Sequence, residues 1–203
     1  NIPAFLAMEV MSQANELEVF GDNILHLEIG QPSTPPPSAV LDALTDSLKH
    51  KASHGYSVAM GNPRLRQRIA AHYYDWYSLS LDWQQIAITP GSSLGFIIAF
   101  LSAFDTGDRI ALATPGYPAY FNSMKAVGLE PQLLMAQSKE NWMPNLEILV
   151  DNHSIPDGLL LASPANPTGF VMTDEELQAI CEWCERYEVR LIMDEIYHGL
   201  TFG

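Results

Sequence analysis

Leu159-Leu160-Leu161-Ala162-Ser163-Pro164-Ala165-Asn166-Pro167-Thr168-Gly169 and, further on, Val189-Arg190-Leu191-Ile192-Met193-Asp194-Glu195-Ile196-Tyr197 decide how this chain folds. Each is a short apolar run that ends in a polar loop. Between them lies one helical pattern, opened by Thr173 with Glu176 three residues on, the spacing of a capping box. Strand, loop, helix, strand, loop is a βαβ crossover. In open α/β sheets ligands bind beyond the carboxyl ends of the strands, and here those ends deliver an amide (Asn166), a carboxylate (Asp194) and a phenol (Tyr197). That set suits a flat, heteroaromatic, hydroxylated ligand better than a metal or a nucleophilic triad.

Upstream the same alternation continues. Ile86-Ala87-Ile88-Thr89, Arg109 to Ala113 and Gln132 to Met135 read as strands, and Leu94 to Phe104 and Ala119 to Val127 as helices. Leu146 to Val150 reads as a helical turn or two. The pattern predicts an α/β fold, with a mostly parallel sheet covered by helices on both faces. Before it, Phe5 to Phe20 reads as an amphipathic helix closed by Gly21, and Ile24 to Ile29 as a short strand. Thr34-Pro35-Pro36-Pro37 can be neither helix nor inner strand, so a boundary is expected there. Ser38 is expected to cap a helix through Leu48. Asn62 and Pro63 open another that runs to about Trp76, its aromatic residues being packing groups.

The chain has 203 residues, a formal net charge of −14 and 47% hydrophobic residues. Such an acidic chain argues against nucleic acid or an anionic membrane as partner. Arg64, Arg66 and Arg68 are the only basic cluster and are expected on a solvated helix face. The longest apolar stretch, Phe96 to Phe104, is broken by Ser102 and too short to span a bilayer. With no basic segment leading an apolar run at the start, a cytoplasmic location is expected. Since the first residue is Asn1, further residues are expected upstream. Cys181 and Cys184 stand mid-helix and are expected to pack in its buried stripe with Leu177 and Ile180, with no zinc-ligand spacing nearby.

Two further loops follow strands. Thr89-Pro90-Gly91-Ser92-Ser93 turns into a helix, where free N–H groups, the helix dipole and two hydroxyls suit phosphate. A glycine–serine turn in that place also often serves only as a cap. Gly91-x-Ser93-x-Gly95 spells a hydrolase nucleophile elbow as well. No separately placed acid and histidine follow it, and no oxyanion loop precedes it. Pro115-Gly116-Tyr117-Pro118 sets an aromatic ring in a rigid turn, either as simple packing or as a platform for a planar ligand. Asn166 and Tyr197 can hydrogen-bond a phenolate-type oxygen. Asp194 can pair with a protonated ring nitrogen, which lets that ring withdraw electrons. A turn residue at Asn166 and a helix cap at Asp194 are the alternatives.

These loops, together with Gly30-Gln31-Pro32, Tyr56, Gly61-Asn62-Pro63-x-Leu65-Arg66 and Asp194-Glu195-Ile196-Tyr197-His198-Gly199, resemble the class I/II, fold-type I aminotransferases that use pyridoxal 5′-phosphate. The resemblance covers nearly the whole chain. It implies a homodimer acting on an amino acid and a 2-oxo acid. Residues 1–37 would be the N-terminal helix and arm of the small domain, and 38–203 a truncated large, cofactor-binding domain. Carried over, Ser92 and Ser93 hold the cofactor phosphate, Tyr117 stacks on the pyridine, and Asn166 and Tyr197 bind its 3′-oxygen. Asp194 pairs with the ring nitrogen, and Tyr56 reaches the phosphate of the neighbouring subunit. Gly30, with Asn166, meets the substrate carboxylate. Ser93 departs from the many relatives that carry glutamine or another residue there.

The family's Schiff-base lysine lies some tens of residues beyond the Asp-x-x-Tyr motif, but Lys49, Lys51, Lys125 and Lys139 all precede it here. The expectation is an N-terminal portion of a longer enzyme, inactive by itself. Carbon–sulfur lyases share every motif quoted, because the motifs bind the cofactor and do not choose the bond that breaks. Outside the enzymes, the alternative is the aminotransferase-like sensor domain that some transcription regulators carry behind a DNA-binding domain.

Overall fold

A computed structural model of the chain describes residues 6–21, 23–30, 34–50, 55–137 and 142–200. Phe5, Gln31, Pro32, Lys51 and Lys139, on which parts of the sequence reading fall, lie outside these ranges. The described residues form two compact units, Leu6–Pro90 and a second from Gly91 onward. Among them no helix is long and apolar enough to cross a membrane.

The second unit carries the sheet. Its elements are α4 (Ser92–Ala103), β1 (Arg109–Thr114), α5 (Pro118–Ala126), β2 (Glu130–Met135), α6 (Glu147–Asp151), β3 (Gly158–Ala162), α7 (Asp174–Arg186) and β4 (Arg190–Asp194). The four strands are all parallel, in the order β2-β1-β3-β4. The apolar run of β3 is buried along its length because both faces are covered, as in parallel sheets generally. Successive side chains point to opposite faces. Leu159 and Leu161 therefore join Ala111, Leu149, Ile180, Trp183 and Val189 on the side of α6 and α7. Leu160 points the other way, to Ile110, Leu112, Phe100, Tyr120 and Met124 on the side of α4 and α5. The expected α/β architecture, with helices on both faces, is what forms.

Local signals explain the ends of these elements. Thr173 accepts a hydrogen bond from Glu176 N while the Glu176 side chain accepts from Thr173 N, so the predicted capping box closes α7. Its buried stripe is Ile180, Trp183 and Cys184. Cys181 was expected there and is exposed instead. It lies about 100° round the helix from Ile180, at the edge of the stripe. Burial pushes the Cys184 thiol up to about 11, with Cys181 adding to it, so Cys184 is packing material and not a nucleophile.

In the first unit, α1 (Leu6–Val19), α2 (Ser38–Leu48) and α3 (Pro63–Tyr77) are helices where periodicity predicts them. Asn62 caps α3 by accepting from Arg64 N at 2.9 Å. The expected cap at Ser38 is not made. Ser38 is already helical, Pro37 takes the cap position, and no side chain caps the helix.

Two expected strands also do not form. Ile24–Ile29 forms no strand: Ile24 to Leu27 take no regular structure, Glu28 and Ile29 bend, and Leu25 and Leu27 are exposed. Alternation alone does not make a strand where no neighbour supplies a ladder. Ile86–Thr89 follows a 3₁₀ turn, Trp83–Gln85, and its backbone groups go elsewhere. Ile88 N donates to Met60 O at 3.0 Å, and Ile86 O accepts from Arg66 Nε at 2.6 Å.

Arg66 corrects a further expectation. It turns inward, is 6% exposed, donates also to Gln84 O, and lies 4.8 Å over the Trp83 ring. A guanidinium can be buried this way because two carbonyls and an aromatic face replace its hydration.

Candidate active site

Three strands of the second unit end side by side in polar loops. At the end of β4, Asp194 is buried at 8% exposure. Its Oδ1 accepts from Ile196 N at 3.0 Å, which holds the turn that follows. Its Oδ2 accepts from the Tyr120 hydroxyl at 2.5 Å. Asp194 is thus not merely a turn residue: a second element, α5, grips its other oxygen. Ser163 N donates to Asp194 O at 3.1 Å, which ties the loop after β3 to the end of β4. The Ser163 hydroxyl in turn accepts from Met172 N.

Tyr120 is 5% exposed. Phe96 of α4 stands edge-on to its ring at a centroid distance of 5.1 Å, and Tyr117 does so at 5.4 Å. Burial, and then the bond to Asp194, pushes the Tyr120 hydroxyl well above the usual phenol range, with Tyr117 and Tyr197 close enough to add smaller contributions. Tyr117, Tyr120, Asp194 and Tyr197 are therefore one neighbourhood. Asn166 shares a cavity with Tyr120, lined also by Pro115, Gly116, Trp142 and Phe170. The peptide bonds before Pro115, Pro164 and Pro167 are cis.

Gly91 holds the cap position of α4 at φ 88 and ψ 158, a conformation that glycine adopts at no steric cost, and no side chain caps the helix. Ser92 and Ser93 form its exposed first turn. Phe96 follows them by four and three residues, so both serines share the side of α4 that presses on Tyr120. Gly30 and Tyr56 belong to the other unit, where both are exposed, Tyr56 fully. Tyr197 is 39% exposed. Among the described residues, no group of His, Cys, Asp and Glu could hold a metal ion.

Sequence reasoning missed Tyr120. Its one signal was position: it follows Tyr117 by three residues on the helix that Pro118 opens, so it lies one turn below the ring in the Pro-Gly-Tyr-Pro turn. Trp142 and Phe170, which line the cavity, were also unassigned.

Two expectations follow from this packing. A Cβ at Gly116 would lie 2.5 Å from Ala113 O, a backbone atom that cannot step aside. Gly116→Ala therefore has to shift the turn that carries Tyr117, and should lower stability by about 2 kcal/mol in denaturant titrations of the whole protein. The second concerns pH. The Tyr120 proton is held more tightly in the folded state than in the unfolded one, so its stabilising contribution is complete below the ordinary phenol value. It declines as pH rises above about 10, where the unfolded state begins to lose that proton. The stability difference between the native protein and Tyr120→Phe should therefore shrink between about pH 9 and pH 11.5. A constant difference across that range would contradict the burial described.

The chain belongs to the aminotransferase class I and II family, whose profile matches residues 22–203. It is 42% identical over 201 residues to a valine–pyruvate aminotransferase of Mycobacterium tuberculosis, covering 99% of this chain and 52% of that protein. It is 33% identical over 202 residues to a (5-formylfuran-3-yl)methyl phosphate transaminase of Methanocaldococcus jannaschii, covering 100% of this chain and 51% of the relative. A crystal structure of an aminotransferase from Mycobacterium tuberculosis superposes with a TM-score of 0.93 at 41% identity, over all of this chain and 52% of that one. The chain spans about half the length of the curated relatives it matches.

Proposed function

We propose that this chain supplies most of the pyridoxal 5′-phosphate site of an enzyme that moves an amino group from an amino acid to a 2-oxo acid. On this reading the lysine that condenses with the cofactor lies beyond Gly203, and the chain alone does not turn over. Residues 1–37 would belong to a small domain and 38–203 to a large one.

One observation carries the reading. Asp194 is a buried carboxylate whose two oxygens are held by a phenol and a backbone amide, with no lysine or arginine paired to it among the described residues. A buried anion of this kind calls for a cationic partner. A protonated pyridine nitrogen is one, and the neighbouring residues fit the rest of that cofactor. Ser92, Ser93 and the first N–H groups of α4 would hold the phosphate. Tyr117 would lie against the ring. Asn166 and Tyr197 would bind its 3′-oxygen, and Asn166 the substrate carboxylate. When bound, the cofactor supplies an electron sink for the bonding pair released at the substrate's α-carbon. The task of Asp194 is to keep the ring nitrogen protonated, which makes that sink effective. Tyr56, fully exposed, suits a side chain that reaches the phosphate site of a second subunit, so we propose a homodimer.

The test uses the whole protein. Pyridoxal phosphate is added, visible absorbance recorded, borohydride applied and the modified peptide mapped. A modified lysine downstream of Tyr197 supports the reading. Valine with pyruvate is the first substrate pair to try, since the relative at 42% identity is named for it. A folded protein that gains no visible absorbance would overturn the proposal.

A further inference from the structure

We propose that Tyr120 is a positioning residue that fixes two cofactor-contacting groups at once, the carboxylate of Asp194 and the ring of Tyr117. The inference rests on the proposed function and assigns a role to a residue outside its motifs. Tyr120 sits where α5 faces the sheet. Its hydroxyl donates to Asp194 Oδ2 at 2.5 Å, and its ring meets the Tyr117 ring at 5.4 Å and an interplanar angle of 82°. Phe96 packs on the same ring at 5.1 Å, and Phe100, fully buried, belongs to the same cluster. Tyr120 is therefore confined from several sides. It can shift neither toward Asp194 nor away from it without moving a packed ring.

Chemistry follows from this confinement. A phenol that keeps its proton donates in one direction only, so Asp194 Oδ2 must accept. With Oδ1 held by Ile196 N and Oδ2 by Tyr120, the carboxylate plane is fixed from both sides. Each oxygen retains a further lone pair for a cationic N–H. A buried carboxylate without such donors would tend to take up a proton and lose the charge that a pyridinium needs. The edge contact with Tyr117 sets the tilt of the stacking ring by the same residue. Asp194 and Tyr117 come from different strand ends, β4 and β1, and Tyr120 touches both.

The experiment is a double-mutant cycle in the whole protein. Tyr120→Phe, Asp194→Asn and the double variant are compared with the native protein. The readouts are pyridoxal phosphate affinity, from quenching of tryptophan fluorescence, and steady-state kinetics. Tyr120→Phe keeps the ring and removes only the donor. We expect it to weaken cofactor binding about tenfold and to lower kcat with little change in KM for the amino acid. In the Asp194→Asn background the same substitution should lose much less, because its target is already changed. Losses that multiply in full would show that Tyr120 acts independently of Asp194, and would overturn the inference, as would unchanged cofactor affinity in Tyr120→Phe. Thermal melting of each apoprotein separates a folding defect from a site defect: a Tyr120→Phe protein that melts below the native one but is fully folded at the assay temperature, and binds cofactor weakly there, supports the inference. A native protein that does not bind pyridoxal phosphate overturns the proposed function and this inference together. A native protein that binds it, beside an unaffected Tyr120→Phe, overturns the inference alone.

Discussion

On the proposed function, Asp194→Asn should lower amino transfer by the whole protein about a thousandfold. The carboxamide keeps nearly the shape of the carboxylate and can still accept one hydrogen bond, from Tyr120 or from Ile196 N. What it loses is the negative charge at the carboxyl end of β4. With no charge opposite it, a ring nitrogen would not stay protonated through the reaction, and the electron sink weakens where charge develops. The fold should barely register the change, at about 1 kcal/mol in denaturant titrations of the apoprotein. Asp194→Ala should instead cost about 2 kcal/mol, because it strands the Tyr120 hydroxyl in a buried setting. Single-turnover kinetics at saturating cofactor, set beside those titrations, separates the two effects. An asparagine variant within about tenfold of the native rate would mean that Asp194 does not face the reacting ring.

Phe100→Ala should be the most destabilising of the substitutions considered, at about 4 kcal/mol in denaturant titrations. Phe100 has no exposed surface, and it fills the space between α4 and the sheet with Phe104, Ile110, Leu112 and Leu160. Removing the ring deletes its transfer energy and leaves a cavity that the parallel sheet cannot collapse into, because β1 and β3 are fixed by their ladders on both sides. Tyr120 borders the same cluster, so the cavity lies against the residue that grips Asp194. Cofactor affinity should then fall along with stability, which distinguishes this variant from Asp194→Asn. Phe100→Leu keeps most of the volume and should lose about 1.5 kcal/mol.

The crossover from Leu159 to Asp194 was legible because each of its signals is local. A buried β3 reads as an unbroken apolar run, and α7 announces itself with Thr173 and Glu176. Asp194, Asn166 and Tyr117 were legible for a related reason: a polar residue or turn soon after an apolar run stands at a strand end, whereas the Gly91-Ser92-Ser93 turn opens α4 without a strand before it.

What misled the reading was also local. Ile24–Ile29 and Ile86–Thr89 alternate as strands do, but a strand exists only where another chain segment pairs with it. Instead Ile86 O is taken by Arg66 and Ile88 N by Met60 O. Arg66 looked solvated because its neighbours Arg64 and Arg68 are, yet the indole of Trp83 and two carbonyls enclose it. Cys181 was assigned to a buried face from its spacing to Leu177 and Cys184, and the sheet covers a narrower stripe than that.

By itself, then, the sequence determined the α/β alternation, the parallel crossover and the family, along with the residues that follow each strand. These depend on periodicity and on neighbours within a few positions, and such information survives in a one-dimensional string. Only the tertiary structure decided that Tyr120 holds Asp194, a pair 74 positions apart. It also decided that Leu159 and Leu160 serve different cores, and that Arg66 is buried. Each of these depends on which segments the sheet and its covering helices bring together, and a hydrogen bond between a phenol on one helix and a carboxylate on a distant strand leaves no periodic mark in either.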